Sequence, residues 1–154
     1  MTISGDSLSG LSARQVRERL GLEFLEGEGV WIGHLWRNDS GNAIYALLTP
    51  RDFSGLHRLR EDELWVHVAG APVDMLQLHP GGRAEEIRLG RGETEVLHAL
   101  VPAHSWQGSS TTGDWALVVC ALAPPFSGLE LADSATDLSA WSQATGRARE
   151  LIRE

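Results

Sequence analysis

Between Ala43 and Ala123 the chain is a succession of short apolar runs, each ended by a turn signal. The runs read AIYALLT, LWVHVAG, VDMLQL, EEIRL, TEVLHALV and WALVVCALA, and between them stand TPRD, GAP, HPGGR, GRGE and SSTTGD. Short strands recurring about every ten residues between Gly- and Pro-containing turns predict an all-β sandwich or barrel. No 3.6-residue apolar period persists from Gly41 to Pro125, which argues against helices there. With 154 residues the chain has room for one domain with a sizeable core.

The ends read differently. In LSARQVRERLGL, Ser12 suits an N-cap with Gln15 three residues on, and Gly21 suits the C-terminal stop. This predicts a helix over 12–20 with Val16 and Leu20 facing inward. The stretch 134–152 also has helix-forming composition and is expected to lie against the outside of the sheets, so the β core spans about 22–132. The intervening EFLEGEGVWIGHLWRN carries three glycines that break a helix, followed by an extended segment from Trp31 to Trp36. Glu23, Glu26 and Glu28 read as a solvated edge.

Charge excludes some partners. The net charge is −8, and the thirteen basic residues, all arginine, form no run. Nucleic acid is therefore not an expected partner, because such binding draws on clustered basic residues that displace counterions. No run approaches the ~18 apolar residues of a membrane span, so no membrane partner is expected. The N-terminus MTISGDSLSG lacks the basic-then-apolar order of a secretory signal, so a cytoplasmic location is the default expectation. A lone cysteine, Cys120 in WALVVCALAPP, reads as a buried, inert thiol.

Chemistry concentrates in GLHRLREDELWVHVAG, from Gly55 to Gly70. On a strand, Glu63, Trp65 and His67 share one face while Leu64, Val66 and Val68 share the other. His57 precedes them on the incoming strand. Imidazole beside carboxylate serves either proton transfer or metal binding.

The order His57, Glu63, Gly70, followed by VPAHSWQ from Val101 to Gln107, resembles the two motifs of the cupin superfamily. AIYALLTPRDFSGLHRLREDELWVHVAG, DWALVVCALAPPF and LELAD resemble more closely one branch, the small single-domain cupins labelled Cupin_5, over roughly residues 15 to 141. The resemblance implies a double-stranded β-helix jelly roll with a ligand pocket between its sheets and homodimeric assembly. It also implies a four-ligand site for Fe, Mn, Ni or Zn, but Gly55 stands where one histidine is expected and Gln107 where another is.

Two accounts of the site follow. In the favoured one no cofactor is used, as in the sugar-epimerase branch of the cupins. His57 would be the base, Glu63 its orienting partner and His67 a further pocket histidine. Tyr45, Trp36, Trp65, His104, Trp106 and Gln107 would contact a small-molecule substrate, with Gln107 donating to developing oxyanion charge. In the alternative, His57, Glu63 and His67 form a reduced metal site. A third account is a non-catalytic small-ligand binding module. The expected activity is isomerase-, epimerase- or lyase-type, in sugar or natural-product metabolism.

Other positions carry narrower expectations. Tyr45 is either a pocket proton donor or a core tyrosine. His104 sits where the second motif has glycine, so either its turn needs no positive φ or it adds an acid or base at the pocket rim. His34 replaces a polar or acidic residue near the pocket mouth, beside a retained Glu28, Gly29 and Arg37. His79 is expected in solvent and His98 partly buried.

Overall fold

The computed structural model describes residues 3–154. Helix α1 (Ala13–Leu20) begins as the sequence predicts. The Ser12 hydroxyl accepts from Gln15 N, the Gln15 side chain accepts from Ser12 N, and Gly21 closes the helix in the left-handed conformation. Strands follow in chain order: β1 (Glu23–Phe24), β2 (Trp31–Asn38), β3 (Gly41–Leu48), β4 (Ser54–Leu59), β5 (Glu63–Gly70) and β6 (Val73–Leu78). They continue as β7 (Ala84–Leu89), β8 (His98–Val101), β9 (Trp106–Ser110), β10 (Ala116–Leu122) and β11 (Leu129–Leu131). A short helix α2 (Thr145–Glu150) lies near the C-terminus.

The strands form two antiparallel sheets, ordered β1-β2-β3-β10-β5-β8 and β11-β4-β9-β6-β7. This is the double-stranded β-helix expected above. Side chains from both inner faces, among them Leu48, Trp65, Met75, Val101 and Val118, make the central core. Each outer face is also partly covered. Val16 of α1, Leu22 and Leu8 pack on Leu47, Leu117 and Trp115 of the first sheet. Leu138, Ala148 and Leu151 pack on Leu56, Leu76 and Trp106 of the second. Burying a side chain of that size contributes about 1.5–3 kcal/mol, so the helical ends are structural parts of the sandwich.

Gly70 ends β5 at φ 83°, and a Cβ there would meet the Trp115 carbonyl oxygen at 2.5 Å. Glycine is demanded by both backbone and space. Cys120 is buried, and burial pushes its thiol well above the ordinary range. Among the described residues no helix is long and apolar enough to cross a membrane.

Three expectations need correction. The helix foreseen over 134–152 is confined to Thr145–Glu150, after a 3₁₀ turn at Ser139–Trp141. Upstream, Asp133 accepts from Ala135 N and Asp137 from Ser139 N, local bonds that compete with the helical ladder. His79 is buried rather than solvated, its ring nitrogens 2.9 Å from Ser105 Oγ and 3.2 Å from Glu85 Oε2. His98 is exposed rather than partly buried.

Candidate active site

A cavity of about 270 Å³ opens between the sheets near the β2–β3 end of the sandwich. Its walls include Leu25, Ile32, Ile44, Leu59, Leu122 and Phe126. Its polar groups are Glu28, His34, Arg37, Asn42, His57 and Glu63.

His57 is 1% exposed and has a defined tautomer. Its Nδ1 lies 2.6 Å from the Gly55 carbonyl oxygen, an atom that can only accept, so Nδ1 carries the proton. Nε2 of the neutral ring is therefore a bare lone pair, 3.7 Å from Glu28 Oε1. Glu28 is itself held, because its Oε2 accepts from Ser54 Oγ at 2.8 Å. The chain delivers Glu28 inward through Gly27 and Gly29, at φ 90° and 95°; a Cβ on Gly29 would strike the Arg153 guanidinium. The expected solvated edge thus breaks at Glu28, whose side chain is 13% exposed, while Glu23 and Glu26 do face solvent. Flanking glycines in EGEG were the available signal: they permit the turn that buries the residue between them.

Glu63 projects inward from β5 as alternation predicts. Its Oε1 accepts from Trp65 Nε1 and Gln107 Nε2, each at 3.0 Å. Burial raises its carboxyl above the ordinary carboxylate range; His57 opposes that rise and nearby Glu28 adds to it. With Oε1 occupied by two N–H donors, a proton on Glu63 resides on Oε2.

The structure brings His57 and Glu63 to one cavity and leaves several expected partners elsewhere. His67 shares the inner face with Glu63 and Trp65 but is not part of the cavity wall; its Nε2 donates to the Ala71 carbonyl at 2.8 Å and its Nδ1 is buried without a partner. Trp65 is a core residue whose indole N–H fixes Glu63. Gln107 stands behind Glu63, with its Oε1 buried and unpartnered. Trp106 and Gln107 are consecutive on β9, so strand alternation forbids both from facing inward. Trp106 accordingly lies on the outer side, with the Arg58 guanidinium 4.4 Å above its ring.

Tyr45 and Trp36 face away from the cavity as well. Tyr45 packs with the Leu47–Leu117 cluster under α1, the core role rather than the proton-donor role. Trp36 is 47% exposed on the outer face. His104 lies in an exposed turn at φ 69°, in a groove with Arg58, Arg60 and Glu130 outside the cavity. The turn therefore does require a positive φ, and histidine bears the strain that glycine would avoid.

The resemblance places His34 and Arg37 near the pocket mouth without a role, and regular alternation cannot point both inward. A β-bulge does so. His34 pairs with Ile44 and Arg37 with Asn42, while the register shifts between His34 and Trp36 to absorb Leu35 as an extra residue. Asn42 takes Phe126 N on its Oδ1 at 2.7 Å, and Arg37 Nη2 donates to Phe126 O at 3.0 Å, which seats Phe126 on the cavity wall.

The expected ligand trio of His57, Glu63 and His67 is not brought together, because His67 lies outside the cavity with its Nε2 on the Ala71 carbonyl. Among the described residues no three His, Cys, Asp or Glu side chains stand together as metal ligands. At Gly55 a Cβ would meet the Arg153 side chain at 3.0 Å and the Glu28 carbonyl at 3.2 Å, so a ligand side chain there would require those neighbours to shift.

Comparison with known proteins accords with this architecture. A family model described as Cupin_5, Cupin superfamily (DUF985), matches residues 21–132. A hypothetical protein from Leishmania major superposes with a TM-score of 0.84 at 24% identity, over 94% of this chain and 100% of that one. Protein SO0799 from Shewanella oneidensis gives 0.84 at 27% identity, over 93% and 98%. The DMSP lyase DddQ from Ruegeria pomeroyi shares the fold more distantly, with a TM-score of 0.55 at 15% identity over 88% of this chain and 62% of that one. No curated protein matches.

Proposed function

The chain belongs to the Cupin_5 (DUF985) family of the cupin superfamily, and on that premise we propose that it is a small-molecule enzyme catalysing proton transfer at a carbon beside a carbonyl, as an isomerase, epimerase or lyase does, without a metal. One observation carries the reading: the Nδ1–Gly55 bond, which makes Nε2 the nitrogen that offers its lone pair when the ring is neutral, in a cavity large enough for a metabolite. Nε2 takes the proton, and the C–H electron pair becomes the enolate double bond. Glu28, 3.7 Å away, stabilises the imidazolium that results. The carbonyl oxygen gains charge and accepts a hydrogen bond from Oε2–H of Glu63, whose burial favours the protonated form. Returning the proton from Nε2 to another carbon or face completes an isomerisation; expulsion of a β-substituent instead makes it a lyase step.

This division of labour differs from the roles first assigned. Glu63 acts as the acid, because Gly55 and Glu28 orient His57. Gln107 spends its N–H on Glu63 and supports the reaction from behind it.

Solvent deuterium incorporation into carbonyl compounds tests the reading: the wild-type chain exchanges the α-proton and His57→Gln does not. Exchange undiminished in His57→Gln, a ligand bound tightly yet never exchanged, or stoichiometric transition metal in untagged protein would each overturn it.

The same reading includes a homodimer. Trp36, Ala43, Ala121, Leu64 and Leu100 form one cross-strand row on the outer face of the first sheet. Trp36 is 47% and Leu100 53% exposed, and a second copy is the cover proposed for this apolar row.

A further inference from the structure

We propose that the cavity receives a small monocarboxylate, its carboxylate gripped by Arg37 and His34 at the mouth and its reacting carbon turned toward His57. The assignment rests on the cavity being the working site, as above, and adds the class of substrate.

The first support is the bulge at Leu35. Without it, Arg37 would point outward; with it, Arg37 pairs with the inward-facing Asn42 and joins His34 on the cavity wall. Arg37 and His34 are exposed, so they stand at the solvent-facing mouth of the cavity, where an incoming anion meets them first. Arg37 is also the only arginine among the described residues lining this cavity.

The second is how the guanidinium is held. Nη2 donates to the Phe126 carbonyl, which fixes its direction, while no carboxylate of the described residues forms an ion pair with it. Arg37 keeps its remaining N–H donors, the fork that matches a carboxylate in two parallel bonds.

The third is polarity along the cavity. The Glu28 carboxylate stands 3.7 Å from His57 Nε2, so a ligand carboxylate is disfavoured there and drawn to the arginine. Between the two ends stand Ile44, Leu59 and Leu122, which suit a short apolar body. At about 270 Å³ the space falls below the ~300–1,000 Å³ of drug-sized pockets. A phosphate dianion costs more to desolvate and finds one guanidinium where it needs several donors.

Calorimetric titration of the full chain with 4-methylpentanoate and its uncharged isostere 4-methylpentanamide tests the assignment. The carboxylate is expected to bind at least about tenfold more tightly than the amide. Arg37→Gln should abolish that preference and Arg37→Lys retain part of it, with thermal unfolding reporting whether either variant stays folded. Equal affinities, no carboxylate binding below about 10 mM, tighter binding of methylphosphonate, or a preference that survives in folded Arg37→Gln would overturn it. His57→Gln separates the two proposals: it should keep the carboxylate preference while losing deuterium exchange. Persistent exchange with an intact preference would refute the base and spare the anion site.

Discussion

Nε2 of His57 stands 3.7 Å from Oε1 of Glu28, a carboxylate carried on a loop that precedes every long strand of the sandwich. The same ring is locked from its other nitrogen by the carbonyl of Gly55, two residues away. The ring's orientation, its protonated nitrogen and its neighbouring carboxylate are thereby set by one local and one distant contact.

Removing the base should cost most of the activity. His57→Gln is expected to slow proton exchange about 10²- to 10⁴-fold. Glu28→Gln keeps the shape but not the charge, and a smaller loss of about 10- to 100-fold is expected, as for other residues that orient a working group. Comparing deuterium-exchange rates of the two folded variants checks this order, and a larger loss in Glu28→Gln contradicts it.

Glu63 makes stability depend on pH in a defined direction. Burial raises its folded-state pKa above the reference near 4.5. The associated stability is fully present below that reference and is lost as pH rises through the folded value. Glutamine imitates the protonated acid at every pH. Glu63→Gln should thus match the wild type in acid and become the more stable protein as pH climbs toward neutrality. Denaturant midpoints across that range decide it; a gap that closes on raising the pH refutes the assignment. Exchange activity should fall in the same variant, since an amide N–H is a weaker donor to the developing oxyanion than a carboxylic acid O–H.

His104 bears backbone strain in an exposed turn outside the cavity. Replacing it with glycine relieves the left-handed penalty but frees the unfolded chain, and the net expectation is a gain of about 0.5–1 kcal/mol. Equilibrium unfolding measures the gain, and unchanged exchange activity in the same variant would separate His104 from the chemistry.

The outer apolar row carries the quaternary prediction. Leu100→Glu puts a charge at one end of the exposed stripe that runs to Trp36. Sedimentation should find a dimer for the wild type and a monomer for the variant; a wild-type monomer, or a variant that still dimerises, removes this surface as the interface.

Much of the architecture was legible because its signals are local. The capping box at Ser12, the runs that became β3, β5, β6, β7 and β10, and the inward face of Glu63, Trp65 and His67 all follow from spacing and turn chemistry. Strand β9, WQGSS, was missed because its pairing with β4 and β6, not an apolar run, makes it a strand. Helix 134–152 was overcalled because composition cannot register the Asp133 and Asp137 turns.

The candidate site divides along the same line. Sequence alone marked His57 and Glu63, and placed Glu63 inward, because alternation along one strand is a property of consecutive residues. Only the tertiary structure could select Glu28, His34 and Arg37 over Tyr45, Trp36 and Trp106. Those choices depend on a glycine-flanked loop folding back, on one extra residue absorbed in β2, and on which sheet face the ends of the chain cover. Each is a matter of register between segments far apart in the chain, and no pattern within a single segment encodes which neighbour it will meet.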